Sequence, residues 1–215
     1  KKYPVIHLSF GDYNVSSEAV RELPEYLMAK IQKAAREHGV QISGATPALC
    51  FGDLIDQLYK ENQVVILVDE YDKPILDNIS NPEIARIQKC LKGFYSVLKD
   101  RNDKERFLFV TGVSKFSHVS IFSDLNNLTD ITMDARFATM FGYTQEELEK
   151  YFSDRIEALA GNRDIEIFKA KIKEWYNGYR FEENAKTVYN PVSLALFFEN
   201  GGKFNNYWFS TGTPS

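Results

Sequence analysis

The sequence predicts an α/β protein with a parallel sheet, followed by a small helical subdomain. Over residues 1–115, short apolar runs alternate with longer segments of helical periodicity, an order typical of right-handed parallel α/β sheets. The run VVILV at 64–68 is apolar at every position, which indicates a strand buried on both faces of such a sheet. From Thr144 onward the segments are helical. We therefore expect an α/β core at residues 1–140 and a helical subdomain at residues 141–215.

Three main strands and three helices are expected in the first half of the chain. Thr46 and Pro47 begin the second helix, because proline is favoured at the first helical position. Pro24 interrupts the first helical pattern and marks either the true start of that helix or a kink. The expected strands are 3–10, 64–68 and 106–112, the expected helices are 17–38, 47–60 and 81–99, and a further short strand is expected within 120–133.

Three more helices are expected in the second half. Thr144 and Glu147 have the spacing of a capping box, in which each side chain bonds the other residue's backbone. Asn190 and Pro191 begin the last helix, which ends before the glycine pair at 201–202. The expected helices are 144–159, 164–179 and 190–200.

Composition narrows the class of protein. The chain has 215 residues, of which 44% are hydrophobic, enough for one sizeable core. A net charge of −4 gives no basic footprint for nucleic acid, and no apolar run reaches the roughly 18 residues of a membrane span. Cys50 and Cys90 lack CxxC spacing, so with no secretory signal recognised we expect reduced thiols and a cytoplasmic protein. His7, His38 and His118 are scattered and form no metal-ligand pattern.

Carboxylates follow the apolar run at 64–68. Ligands of open α/β sheets bind beyond the carboxyl ends of the strands, where Asp69 and Glu70 are expected. An apolar strand followed by Asp-Glu is a pattern that holds magnesium beside a nucleotide triphosphate: the Asp orients the metal and the Glu polarises the attacking water. Asp72 would support them. The competing interpretation is that these acids only stabilise the N-terminus of the next helix.

Hydroxyl groups follow the third expected strand. Thr111 and Ser114 come at its end, in the segment FLFVTGVSK. A hydroxyl at the tip of the neighbouring strand can hydrogen-bond the attacking water or the terminal phosphate. The alternative is an ordinary polar loop after a strand.

Six segments together resemble the bacterial AAA-ATPase-like proteins, a branch of the P-loop ATPases, over nearly the whole chain. By that resemblance, Asp69 and Glu70 occupy the Walker B motif, with Asp69 as the magnesium and cofactor ligand and Glu70 as a catalytic residue. Thr111, as a second catalytic residue, and Ser114, as a cofactor-binding residue, fall in the sensor segment. The region after Phe141 corresponds to a lid-like helical region. The segments are VILVDEYDKPI, FVTGVSKFSHVSIFSDLNNLTDIT, FGYTQEELEKYF, WYNGYRF, YNPVSLALFF and YWFSTGTPS.

The chain departs from the P-loop pattern in one respect. P-loop ATPases need G-x-x-x-x-G-K-[ST] after a strand, since those amides and that lysine bind the phosphates. The nearest segment, GVQISGAT at 39–46, has Ala45 in place of the lysine and follows an expected helix. In the family the phosphate loop would lie upstream of Lys1, and a nuclease-like domain commonly follows. We therefore expect an incomplete P-loop NTPase-like sheet that lacks its first strand and phosphate loop. ATP and Mg²⁺ would bind the full-length protein, whereas this chain alone would bind them weakly and be inactive.

Two other functions fit parts of the sequence. A non-catalytic P-loop-like module could bind protein or nucleic acid through the aromatic segments WYNGYRF and NNYWFSTG, although those rings could equally pack the helical subdomain. A metal-dependent nuclease could use Asp69, Glu70, Asp72 and Lys73. With a strand missing, one sheet edge would be exposed and open to self-association.

Overall fold

The computed structural model describes residues 2–13, 19–113 and 128–208. Its packing divides the chain into two compact units, Lys1–Leu128 and Thr129–Ser215, called here the first and second unit. The expected domains, 1–140 and 141–215, remain a prediction. No helix in the described ranges is both long and apolar enough to cross a membrane.

The first unit contains a three-stranded parallel sheet. Strands β1 (Val5–Ser9), β2 (Val64–Asp69) and β3 (Glu105–Val110) lie in the order β1-β2-β3. The expected parallel sheet is therefore confirmed, with the VVILV run in its central strand. Because β2 pairs on both sides, its carboxyl end lies between the ends of β1 and β3.

In the part of the first unit that the structure describes, four α-helices accompany the sheet. They are α1 (Ala19–Glu37), α2 (Pro47–Tyr59), α3 (Lys73–Leu76) and α4 (Ile84–Tyr95), followed by a 3-10 segment at Ser96–Lys104. Pro24 lies inside α1, so the helix begins before it. The expected start of this helix, residue 17, lies outside the described residues. Thr46 caps α2 as expected, accepting a hydrogen bond from the Leu49 N–H.

The prediction of a helix at 81–99 is wrong for its last turn, because the observed helix ends earlier. α4 ends at Tyr95, and the 3-10 segment that follows breaks at Arg101, whose φ is −126°. The Arg101 side chain forms two 2.9 Å hydrogen bonds with Asp56 and donates to the Gly52 carbonyl at 3.1 Å, both on α2. This attachment to another helix is a tertiary contact, and it competes with continued α-helix.

Among the described residues, one face of the sheet is well buried and the other is not. Ile6 on β1 and Ile66 on β2 are paired and fully buried, in a core shared with α1 and α2. On the opposite face Val5 is 43% exposed and Phe107 is 53% exposed, while Leu67 is half-buried. The prediction that β2 is buried on both faces is therefore wrong for the structure described, and an apolar face stays open.

The second unit is helical with one small hairpin. It contains a 3-10 turn (Ala135–Phe137), α5 (Gln145–Ala160), α6 (Ile165–Tyr176), β4 (Asn177–Tyr179), β5 (Val188–Tyr189) and α7 (Pro191–Glu199). The capping box is confirmed, since the Thr144 N–H donates to Glu147 at 2.8 Å and the Glu147 N–H donates to Thr144 at 3.2 Å. The strand expected within 120–133 is not seen in 128–133, and 114–127 lies outside the described residues.

The helix expected at 164–179 is too long by its last three residues. Asn177–Tyr179 instead forms β4, which pairs antiparallel with β5. Gly178 has a φ of 134°, which favours glycine and interrupts the helical backbone. Aromatic residues such as Tyr189 and Phe197 fill the core of the second unit. That core is closed by residues of the unit itself.

Candidate functional site

The carboxyl edge of the sheet brings Asp69 and Thr111 together. Asp69 is the last residue of β2 and is exposed to solvent. The Thr111 Oγ1 donates a 2.6 Å hydrogen bond to the Asp69 Oδ1. The backbone N–H of Thr111 donates to the Val68 carbonyl at 2.8 Å, which extends the β2–β3 pairing by one residue and fixes the position of the hydroxyl.

Glu70 lies on the other side of Asp69. Its φ is 55°, in the left-handed region that non-glycine residues seldom adopt. Such conformations cost about 1–3 kcal/mol and cluster at functional sites. The Glu70 side chain extends towards the end of β1, because a Cβ placed on Gly11 would lie 3.5 Å from the Glu70 Oε2. The half-buried Glu70 carboxylate and the Thr111 hydroxyl therefore flank Asp69 from opposite sides.

A buried contact holds the ends of β2 and β3 in register. Asp72 is 1% exposed, and its Oδ1 accepts a hydrogen bond from the Val113 N–H at 3.2 Å. The Tyr71 N–H donates to the Thr111 carbonyl at 3.0 Å. A Cβ at Gly112 would lie 2.4 Å from the Tyr71 ring and 2.6 Å from the Asp72 carboxylate. Asp72 thus links the ends of β2 and β3 from inside the protein. Its support of Asp69 and Glu70 stays a prediction.

Sequence reasoning missed the parts played by Tyr71 and Gly112 in this contact. In the sequence, Gly112 is only the last residue of the third expected strand. The close approach of the Tyr71 ring depends on tertiary structure and leaves no local signal in the sequence.

A third carboxylate follows β1 and is already neutralised. The Lys30 Nζ lies 2.6 Å from the Asp12 Oδ1, and the Tyr26 hydroxyl donates to the same oxygen at 2.5 Å. The hydrogen bond from Lys30, and next that from Tyr26, hold the pKa of Asp12 below its usual range. In contrast, Asp69 and Glu70 form no ion pair with any residue in 2–13, 19–113 or 128–208.

The four residues considered for a nuclease do not converge. Asp72 is buried, and the Lys73 Nζ pairs with Asp77 at 2.8 Å, a hydrogen bond that raises the pKa of Lys73. Within the described ranges, no group of three or more His, Cys, Asp or Glu side chains is placed to hold a metal ion. A cation at Asp69 would therefore take most of its ligands from water or substrate. Ser114, the remaining predicted site residue, lies outside the described residues.

The segment 39–46, the nearest match to a phosphate loop, follows a residue that lies beside the amino end of β1. His38, just before it, lies 2.9 Å from the carbonyl of Val5, where β1 begins. The Ser43 N–H and hydroxyl both donate to the Asp53 carboxylate, at 2.6 and 3.1 Å. The Ser43 N–H and hydroxyl are therefore already bonded to a carboxylate of the chain and are not available to a phosphate.

Comparison with known proteins identifies a family model and a curated relative. The family model described as Predicted AAA-ATPase matches residues 1–122, a range that includes Asp69, Glu70 and Thr111. A protein of Azotobacter chroococcum mcd 1, described as "Uncharacterized protein in vnfD 5'region", is 40% identical over 220 residues. The match covers 100% of this chain but 40% of that protein, so the chain spans well under half the length of its curated relative. No solved structure matches the chain.

Proposed function

This chain belongs to the predicted AAA-ATPase family, and on that premise we propose that it forms the distal part of an ATP-hydrolysing core. In this proposal Asp69 and Glu70 are the Walker B pair, and Thr111 is the polar residue of the neighbouring strand. The observation that carries the proposal is the hydrogen bond between Thr111 and Asp69 at the carboxyl edge of a parallel sheet. That edge is where open α/β sheets bind ligands.

Each side chain has a separate task. Asp69 orients magnesium through its exposed carboxylate, since hard oxygen ligands suit that ion. Magnesium, when bound with ATP, would neutralise charge on the phosphates. Thr111 holds the Asp69 carboxylate in place through its Oγ1. Glu70 takes the proton of the attacking water; its carboxylate is half-buried and carries no ion pair within the described ranges.

We propose that the phosphate-binding residues lie upstream of residue 1. No G-x-x-x-x-G-K-[ST] segment occurs in residues 1–215. The open sheet face, with Val5 and Phe107 exposed, is an apolar surface that further chain would cover. β3 is also an outer strand of the described sheet, where another strand can pair. In the chain by itself, the same face and edge would favour self-association.

The test is Glu70→Gln in a longer protein that includes the upstream residues. We expect Mg-ATP binding to be retained and hydrolysis to slow by about 10² to 10⁴, because only the proton acceptor is lost. Glu61→Gln is the matched control, since Glu61 is exposed and lies three residues before the amino end of β2, away from Asp69. Unchanged turnover in Glu70→Gln would contradict the assigned role. An upstream sequence without a strand and phosphate loop would instead favour the non-catalytic binding module.

A further inference from the structure

The second unit contains a cavity of about 350 Å³ that is separate from the carboxyl edge of the sheet. It lies where α6 and β4 meet the start of α7 and the segment 205–208. Three aromatic side chains that line it are partly open to solvent: Trp175 is 45% exposed, Tyr179 is 40% exposed and Trp208 is 45% exposed. Large rings left open around one cavity are available to a ligand.

The rings are held in place by other parts of the unit. Trp175 packs against Phe204 with ring centroids 5.8 Å apart, and Tyr179 packs against Trp208 at 6.0 Å. The Tyr176 hydroxyl donates to the Asn205 carbonyl and accepts from the Asn205 N–H, both at 3.2 Å. These contacts join the segment after α7 to α6, so the cavity is formed before any ligand arrives.

The charge of the cavity is negative. Glu174 lines it, and none of its described lining residues is Lys or Arg. The unit as a whole has ten Lys and Arg residues against thirteen Asp and Glu residues. The nearby ammonium of Lys171 lies over the ring of Phe204, 4.6 Å from its centroid, and not over a ring that lines the cavity. A phosphate-bearing ligand would be repelled here, and an organic cation would be attracted.

We propose that this cavity binds an arginine side chain presented by a protein partner. A planar guanidinium stacks on the faces of tryptophan and tyrosine rings, and its positive charge is attracted to their π-electrons. Glu174 supplies the complementary carboxylate, and the amide oxygen of Asn206, which also lines the cavity, can accept a further N–H group. This site is independent of the ATPase proposal, since it shares no residue with the sheet edge.

The chain supplies its own reporter for this site. Trp175 and Trp208 are its two tryptophans, and both line the cavity. Titrating N-acetyl-arginine amide while following tryptophan fluorescence therefore detects binding at the cavity directly. We expect a saturable change, with the neutral isostere N-acetyl-citrulline amide binding about tenfold more weakly, because it lacks the charge.

Glu174→Gln should weaken arginine binding by about threefold to tenfold without affecting citrulline. Glu199→Gln is the matched control: it removes a carboxylate from the same unit that does not line the cavity, and it should change nothing. Equal affinity for citrulline and arginine, tighter binding of adenosine than of arginine, or no saturable change would each overturn the proposal. The comparison of arginine with citrulline uses the unmodified chain, so it decides the question even if a variant fails to fold.

Discussion

The two units of this chain bury their apolar residues in different ways. The second unit closes its core with its own aromatic residues, such as Phe197, which is fully buried. The first unit buries one face of its sheet and leaves the other with Phe107 exposed. The described part of the first unit therefore leaves an apolar sheet face open to solvent, whereas the aromatic core of the second unit is enclosed by its own residues. The candidate ATPase site belongs to the unit that is open.

The largest effect should come from truncating a ring in the closed core. Phe197→Ala should cost about 3–5 kcal/mol of unfolding free energy, because it leaves a cavity that the neighbouring helices cannot fill. Phe107→Ala on the open face should cost about 1 kcal/mol or less. Urea unfolding gives both values: tryptophan fluorescence follows the second unit, where both tryptophans lie, and far-UV circular dichroism also follows the first unit. A large cost at Phe107 would show that the open face is packed.

A smaller effect is expected at the carboxyl edge of the sheet. Gly112→Ala should destabilise the first unit by about 1–3 kcal/mol, since the new methyl group would overlap the Tyr71 ring. Gly93→Ala is the matched control, because nothing lies within 4 Å of its added Cβ and the residue is inside α4. Removing glycine from an exposed helix should stabilise by about 0.5–1 kcal/mol. Thermal unfolding followed by far-UV circular dichroism measures the change in stability of both variants. A change in the same direction for both would refute the close contact at Gly112.

The effect of pH should be visible at the start of β3. Burial, and next the nearby charge of Asp103, raise the pKa of Glu105 to about 7. Because its pKa is higher in the folded than in the unfolded state, Glu105 costs little stability at pH 4, where both states are mostly protonated. As pH rises from about 4.5 to about 7, the unfolded state releases its proton while the folded state keeps it, so stability falls; above that range the loss is constant.

Glu105→Gln should therefore raise the melting temperature at pH 8 and leave it nearly unchanged at pH 4. The comparison needs the unmodified chain at both pH values. An equal shift at the two pH values would show that ionisation of Glu105 is not the cause.

Local patterns in the sequence were enough to predict the central features. The apolar run before Asp69 identified the middle strand, and the spacing of Thr144 and Glu147 identified a helix start. Features that depend on distant contacts were not predictable. α4 ends early where Arg101 attaches to α2, and α6 ends early because Asn177–Tyr179 pairs with β5.

The same limit applies at the candidate site. The positions of Asp69 and Thr111 followed from strand order, but the left-handed backbone of Glu70 did not. The run at 64–68 predicted burial on both faces, whereas Leu67 is only half-buried. Apolar composition shows that a face needs covering, and it does not show which segment covers it.

Calorimetric titration of Mg-ATP would test whether this chain carries the Walker B half of a site whose phosphate-binding half lies elsewhere. The titration is done on the chain alone and on a longer protein with the upstream residues. We expect micromolar binding by the longer protein, strongly weakened by Asp69→Asn, and no micromolar binding by the chain alone. Low-micromolar binding by the chain alone, lost in Asp69→Asn, would contradict this expectation.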